Sequence, residues 1–131
     1  MPVLDTEVLF AFNPNDKKHN KIPKILRMKG LKVPDTALLE FHIVLKARGR
    51  SCEDIREAMN ALKFIFSSHK IKEVRTISTD LLILQSEIEK KYSLSYFDSL
   101  IASSALMLDK TIVSDDKAFD KIPDLKRISL S

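Results

Sequence analysis

The segment Pro2-Val3-Leu4-Asp5-Thr6-Glu7-Val8-Leu9-Phe10-Ala11-Phe12 opens with a short apolar run that stops at Asp5 and Thr6. The apolar run predicts a short strand, and the residues from Glu7 onward predict a helix whose cap is Asp5 or Thr6. A strand that leads directly into a helix is the repeating unit of α/β folds. The first residues of the chain therefore indicate an α/β domain.

The same alternation of short strands and helices continues along the chain. Further strands are predicted at residues 31–33, 73–77, 111–113 and 127–130. Helices are predicted at residues 17–28, 34–46 and 96–108, after the cap residues Ser51 and Ser78, and as a short turn at 117–120. Strands separated by helices favour a mostly parallel sheet. We therefore expect one α/β domain that spans residues 1–131.

The composition is that of an ordinary globular protein, with 44% hydrophobic and 31% charged residues. Its single cysteine, Cys52, excludes an intramolecular disulfide and a zinc site built from cysteines, and it indicates a reducing compartment. We interpret Cys52 as a small apolar filler and not as a nucleophile. With only two glycines, the chain has no glycine-rich phosphate loop.

No targeting or membrane segment is predicted. The first apolar run lacks a basic leader and is interrupted by Asp5 and Glu7, so a signal peptide is not expected. No apolar stretch approaches the length that spans a bilayer. The formal net charge of +4 is compatible with a polyanionic partner but does not establish one. We expect a cytoplasmic protein that does not bind membranes.

Acidic residues follow two of the predicted strands. Asp5 comes directly after the first strand, and Asp115 and Asp116 come just after the strand at 111–113. The carboxyl ends of parallel strands meet at one edge of a sheet, where functional groups gather in a crevice. The sequence therefore predicts that these carboxylates lie together at one edge.

Two more acids lie in predicted helices whose other residues are largely apolar. Glu40 stands within Ala37-Leu38-Leu39-Glu40-Phe41-His42-Ile43-Val44-Leu45, and the pattern does not decide whether it faces solvent. Asp98 shares a helix face with the residues three, four and seven positions later, Ile101, Ala102 and Ala105. An unpaired carboxylate on a packing face is costly, and a metal ion would offset that cost.

Each acid taken singly also has an ordinary structural interpretation. Asp5 could cap a helix, Glu40 could face solvent, Asp98 could interact with a helix dipole, and Asp115 and Asp116 could form a turn. Taken together, the four positions favour a metal site. Mg²⁺ and Mn²⁺ prefer carboxylate oxygens, and such an ion can lower the pKa of a water and stabilise a phosphate under attack. The pattern predicts hydrolysis of a phosphodiester.

In the order and spacing of these acids, the chain resembles the PIN-domain nucleases, in particular the VapC-like toxins of toxin–antitoxin pairs. The resemblance covers nearly the whole chain and rests on residues 3–9, 13–19, the region of Glu40, residues 96–102 and residues 111–116. Two departures are small: Glu7 stands where the family often has Asn, and Ser114 where Thr is commoner.

The resemblance implies a set of site residues. The catalytic and metal-binding carboxylates would be those of Asp5, Glu40, Asp98 and Asp116. Thr6 and Ser114 would hydrogen-bond the carboxylates or a phosphate oxygen, and Asp115 and Glu7 are possible additional acids. The lysines at 17, 18, 21 and 24 could guide RNA, although we favour a solvated helix face for them.

The resemblance also implies a three-layer α/β/α fold with a mostly parallel central sheet, Mg²⁺ or Mn²⁺ as cofactor, and endoribonuclease activity on RNA. A cognate antitoxin and a homodimer would be the protein partners. Three alternatives remain: a structure-specific DNA nuclease of the same fold, a receiver-like signalling domain, and a binding module without catalysis. The receiver is disfavoured because the strand at 73–77 ends in Ser78-Thr79-Asp80, which is more typical of a helix cap.

Overall fold

The computed structural model describes all 131 residues and contains five short strands and six α-helices. The strands are β1 (Val3–Leu4), β2 (Lys32–Pro34), β3 (Lys72–Val74), β4 (Thr111–Val113) and β5 (Lys126–Ile128). The helices are α1 (Thr6–Ala11), α2 (Ile22–Leu26), α3 (Asp35–Ala47), α4 (Cys52–His69), α5 (Thr79–Tyr92) and α6 (Tyr96–Leu106). Two short 3-10 helices cover His19–Lys21 and Lys117–Lys121.

The five strands form one sheet in the order β3-β2-β1-β4-β5, and all neighbouring strands are parallel. The chain therefore proceeds from β1 in one direction to β2 and β3, and then returns to the other side of β1 for β4 and β5. The reversal falls between β1 and β4, which makes their carboxyl ends the topological switch point of the sheet.

Helices cover both faces of the sheet, so the fold has three layers, as predicted. Right-handed crossovers produce this arrangement, because connections that run in opposite directions along a parallel sheet place their helices on opposite faces. One cluster of 26 buried residues forms the core, and it includes Val3 and Leu4 of β1 and Ile112 and Val113 of β4. None of the helices combines the length and the apolar character that a membrane-spanning helix requires.

Two predicted strands are shorter than the sequence indicates, and side chains explain both differences. The strand predicted at 73–77 ends at Val74, because the Asp35 carboxylate accepts the N–H groups of Thr76 and Ile77 at 2.9 and 3.0 Å. The strand predicted at 127–130 ends at Ile128, and the N–H of Leu130 is bound by a carboxylate that follows β4. A residue whose N–H donates to a side chain cannot donate to the neighbouring strand, so the strand ends before it.

The helix predicted at 17–28 was wrong over its first half. Asp16 accepts the N–H of Lys18 in a local turn, and α2 begins only at Ile22. Pro23 explains this start, because proline lacks an N–H and its ring clashes with a preceding helical turn, so it is tolerated only near the beginning of a helix. The interpretation of Cys52 as a small apolar filler was also wrong, since its side chain is exposed at the start of α4.

Candidate active site

The candidate site lies where β1 and β4 end side by side. The register pairs Leu4 with Val113, so the residues that follow both strands emerge together. The N–H of Asp5 continues the ladder by donating to the carbonyl of Val113 at 3.1 Å. Asp5 and the turn at 114–116 therefore meet at the switch point.

Asp5 is the most buried acid of the site, with 6% of its surface exposed. It is the N-cap of α1, since Oδ1 accepts the N–H of Thr6 at 2.8 Å. The Ser114 hydroxyl donates to Oδ2 at 2.7 Å. Burial raises the pKa of Asp5 to about 7, although both hydrogen bonds act in the opposite direction. The folded protein therefore holds this carboxyl near the point of ionisation at neutral pH.

Glu40 reaches the same region from the first half of α3. The Thr6 hydroxyl donates to Glu40 Oε1 at 2.5 Å, which joins the start of α1 to α3. Glu40 is half-buried, and its burial raises the pKa of the carboxyl. The hydrogen bond from Thr6 opposes this rise, and the charge of Asp98 adds to it. Glu40 is therefore not on a solvated face.

Asp98 projects from the first turn of α6. The Ser95 hydroxyl caps this helix by accepting the Asp98 N–H at 3.2 Å, which fixes the backbone that carries the carboxylate. Asp98 is half-buried, and burial followed by the charge of Asp116 raises its pKa. A hydrogen bond with the Ser95 side chain opposes this rise in pKa.

Asp116 is the exposed member of the group. Its carboxylate accepts the Ala118 N–H at 2.9 Å and so caps the 3-10 helix that starts at Lys117. Its own N–H donates to the Ser114 hydroxyl at 3.0 Å. Ser114 is therefore bonded to both Asp5 and Asp116.

The carboxylates of Asp5, Glu40, Asp98 and Asp116 lie close enough for their charges to act on one another. The charge of Asp98 raises the pKa of Asp5 and of Glu40, and Asp116 acts in the same way on Asp98. No group of three or more acidic, histidine or cysteine side chains converges into a complete ligand set in this conformation. Mg²⁺ commonly takes one or two carboxylates and several waters, so the donors present fit an ion of this class.

The two possible additional acids bind partners around the turn that follows β4, and the charge of Glu7 also raises the pKa of Asp5 and of Asp98. Asp115 binds Lys18 at 3.0 Å together with Ser129 and Leu130, and Glu7 accepts the N–H of Asp115 at 2.9 Å. Burial would raise the pKa of Asp115, but the hydrogen bonds from Leu130, Lys18 and Ser129 outweigh it and lower the pKa to about 2. The structure therefore places Asp115 beside the site as an ionised carboxylate that is paired with Lys18.

Three residues around the site were not recognised as such in the sequence. Ser95 has a detectable signal, because a serine three positions before Asp98 is a capping pattern. Lys18 was interpreted as part of a solvated face, yet it pairs with Asp115, which lies 97 positions away. Arg127 Nη1 donates to the Ser114 carbonyl at 3.1 Å. Contacts between segments so distant in the chain leave no local pattern.

Solved structures share this fold over nearly the full length of the chain. A toxin–antitoxin complex from Klebsiella pneumoniae matches with a TM-score of 0.71 and 13% identity, covering 100% of this chain and 98% of the other. VapBC2 from Rickettsia felis, bound to a promoter DNA fragment, matches with a TM-score of 0.70 and 18% identity, covering 97% and 96%. VapC20 from Mycobacterium tuberculosis, a toxin that cleaves the sarcin–ricin loop, matches with a TM-score of 0.70 and 16% identity, covering 92% and 93%.

At these identities the structural matches establish the fold alone. No curated protein sequence matches the chain. The PIN domain family model, by contrast, matches residues 3–125, which include β1, β4 and all four acids of the candidate site. The family expected from the order of the acids is confirmed: the chain belongs to the PIN domain family.

Proposed function

We propose that this protein is a metal-dependent endoribonuclease that hydrolyses phosphodiester bonds in RNA, and that it is the toxin of a toxin–antitoxin pair. One observation carries the proposal: the buried Asp5 and the acids Glu40, Asp98 and Asp116 gather at the switch point of a PIN-domain sheet. The toxins among the structural neighbours support the nuclease assignment. A cytoplasmic location belongs to the proposal, because RNA is found there.

Asp5, Asp98 and Asp116 would hold Mg²⁺ or Mn²⁺, directly or through water, and Glu40 would bind the ion or orient the attacking water. When bound, the ion supplies a water of lowered pKa and neutralises charge that develops on the scissile phosphate. The Ser114 hydroxyl donates to Oδ2 of Asp5 at 2.7 Å, and the Thr6 hydroxyl donates to Glu40 Oε1 at 2.5 Å, so the two hydroxyls fix the orientation of carboxylates that would hold the ion.

Cleavage of a mixed pool of structured RNAs tests this proposal. We expect cutting with Mn²⁺, none with EDTA, and a loss of at least about a hundredfold in Asp98→Asn. Asp109→Asn is the matched control, because Asp109 pairs with Lys32 at 3.5 Å at the amino end of the strands. A pool of DNA substrates treated in parallel tests the alternative of a DNA nuclease, which would cut the DNA and not the RNA. If Asp98→Asn cuts as well as the wild type, the assignment of the site is wrong.

An apolar groove supports an antitoxin as partner. It has a volume of about 500 Å³ between α1, α3 and α4, and nine of its eleven lining residues are hydrophobic, among them Phe10, Phe41 and Leu45. The Arg48 guanidinium stacks on Phe10 at 4.8 Å, which places positive charge on the rim. We propose that an antitoxin helix with an apolar face and acidic flanks occupies this groove.

Coexpression with a candidate antitoxin tests the antitoxin assignment. We expect a complex that copurifies and does not cut RNA. Ala58→Glu, which places a charge in the groove lining, should abolish copurification. Phe64→Glu, an exposed position on the same helix, is the control and should not. If both variants copurify equally with the antitoxin, the groove is not the docking surface.

The proposed homodimer is supported by the distribution of exposed apolar side chains. Of the nine large hydrophobic residues that are exposed, six lie on α3, on α5, at the start of α6 or just before α5: Leu39, Ile43, Ile77, Leu82, Ile83 and Tyr96. Because α6 packs against both α3 and α5, these elements are neighbours, and exposed apolar side chains on neighbouring elements offer an interaction surface. Sedimentation should give a dimer that Ile83→Lys converts to monomer, whereas Phe64→Lys should leave it intact. A monomeric wild type would contradict this assignment.

A further inference from the structure

The turn that carries Ser114 and Asp116 has no free backbone donor. The N–H of Ser114 donates to the carbonyl of Ile128 at 2.9 Å, and the N–H of Asp115 donates to Glu7 Oε1 at 2.9 Å. The N–H of Asp116 donates to the Ser114 hydroxyl at 3.0 Å. The turn is therefore held in one geometry by contacts to separate parts of the chain.

The side chain of Asp115 points away from this site and is fully engaged. Its Oδ1 accepts the Ser129 hydroxyl and the Leu130 N–H, both at 2.9 Å. Its Oδ2 accepts Lys18 Nζ at 3.0 Å. A cation approaching this carboxylate would have to displace an ammonium group and two hydrogen bonds. Asp115 is therefore poorly placed to bind a metal ion, although it stands between two site residues.

The segment Ser129–Ser131 that Asp115 binds is itself anchored. The side chain of Leu130 is completely buried in the core. Lys21 Nζ donates to the hydroxyl of Ser131 at 2.6 Å. Since the segment cannot move without unpacking Leu130, the contact from Asp115 ties the turn to the hydrophobic core.

We infer that Asp115 is a positioning residue, which through Ser129, Leu130 and Lys18 sets the placement of Ser114 and Asp116 in the acidic site. The inference rests on the proposed function. Because the Ser114 hydroxyl also holds Oδ2 of Asp5 at 2.7 Å, a shift of the turn displaces two of the proposed metal-binding acids together. Displacements of this kind lower the rate without removing any group that contacts the substrate.

Cleavage kinetics with the target RNA test the inference in Asp115→Ala, Ser129→Ala and the double variant. We expect kcat to fall about tenfold or more in Asp115→Ala and about threefold in Ser129→Ala, with KM for RNA unchanged. The double variant should match Asp115→Ala alone, because both substitutions break the same link. Asp109→Asn, the paired acid at the opposite end of the strands, should keep full activity.

Hydrogen exchange provides a readout that does not depend on activity. In Asp115→Ala and Ser129→Ala, the amides of residues 114–118 should exchange about tenfold faster, while those of β2 should be unchanged. Calorimetric Mn²⁺ binding should be weakened less by Asp115→Ala than by Asp98→Asn. If Asp115→Ala does not fold, the inference is tested with Ser129→Ala. This variant keeps the charge of Asp115 and its hydrogen bond from the Leu130 N–H.

Three results would overturn the inference. The first is that Asp115→Ala loses Mn²⁺ binding as fully as Asp98→Asn, and that the effects of Asp115→Ala and Ser129→Ala on kcat are additive. Asp115 would then be a metal ligand. The second is unchanged kcat in Asp115→Ala. If the wild type neither cuts RNA nor binds Mn²⁺, the proposed function fails. Exchange at residues 114–118 then tests the inference by itself, and unchanged exchange in Asp115→Ala is the third overturning result.

Discussion

At Asp5, burial and hydrogen bonding oppose each other within one carboxyl group. Two donors, the Thr6 N–H and the Ser114 hydroxyl, favour the charged form, yet burial dominates and raises the pKa to about 7. A carboxyl in this state is costly to ionise without a neighbouring cation. The same residue caps α1, so a fold that needs this cap also places a reactive carboxyl at the switch point.

The raised pKa of Asp5 predicts an unusual dependence of stability on pH. In EDTA, the folded protein holds the Asp5 proton up to about pH 7, whereas the unfolded chain releases it near 3.8. Stability should therefore fall as pH rises from about 4 to 7, by a few kcal/mol, since each pKa unit corresponds to about 1.4 kcal/mol. Urea unfolding at successive pH values measures this slope.

Asp5→Asn is the diagnostic variant for that slope. It removes the titrating group, so it should flatten most of the dependence and be more stable than the wild type at pH 7. Glu40 and Asp98, whose burial also raises their pKa values, leave a smaller slope of the same sign. Asp109→Asn should keep the full slope. A wild type whose stability rises between pH 4 and 7 would contradict the buried, protonated Asp5.

Individual acids could be predicted from the sequence, whereas their partners could not. Asp5 and Asp116 follow short apolar runs, and that local signal identified them as residues at strand ends. The engagement of Asp115 by Lys18 and Leu130 depends on the paths of distant segments, so nothing in Ser114-Asp115-Asp116 distinguishes the two aspartates. The local pattern therefore predicted an acidic site at the strand ends but could not separate Asp115 from Asp116, and only the resemblance to the PIN-domain nucleases assigned Asp116 to the site.

At the scale of elements, helix starts position the site. Of the six helices, α1 begins at Thr6 and is capped by Asp5, and α6 is capped by Ser95, whose hydroxyl accepts the N–H of Asp98. Capping satisfies helix N–H groups that have no partner within the helix. The cap therefore fixes both where the helix begins and the direction in which its first-turn acid projects.

Two serine caps of the same geometry separate stability from positioning. Ser95 accepts the Asp98 N–H at 3.2 Å, and Ser51 accepts the Asp54 N–H at 3.1 Å at the start of α4. Ser95→Ala and Ser51→Ala should each cost about 1 kcal/mol of unfolding free energy in urea titrations. Only Ser95→Ala should also reduce RNA cleavage. Equal activity of the two variants would show that the cap does not position Asp98.

Helix starts with a serine cap were the most predictable features of the elements, and strand ends were the least. The caps Ser51 and Ser78 stand directly before their helices. A cap accepts an N–H from one of the next three residues, so its signal is local in the sequence. The ends of β3 and β5 depend instead on carboxylates from elsewhere, Asp35 and Asp115, which remove N–H groups from the ladder. A local pattern of β-branched residues carries no information about such acceptors.

For the whole molecule, the strand order decides where the acids meet. In the order β3-β2-β1-β4-β5, the first and fourth strands become neighbours, although about a hundred residues separate them. Alternating strands and helices predict a parallel sheet with helices on both faces. They do not specify which strand is central, because that depends on packing among distant segments. The resemblance to the PIN-domain nucleases implied the three-layer fold, whereas the strand order is observed only in the structure.

If the acids bind a divalent ion, the whole domain should become more stable when the ion is present. A ligand that binds only the folded state at a hundred times its Kd adds about 2.7 kcal/mol. For a domain of this size, that corresponds to a rise in Tm of about 10 °C with Mn²⁺. Asp98→Asn should lose most of the rise, and Asp109→Asn should retain it. Equal rises in all three proteins would place the bound ion elsewhere, because only the wild type and Asp109→Asn keep the four carboxylates together.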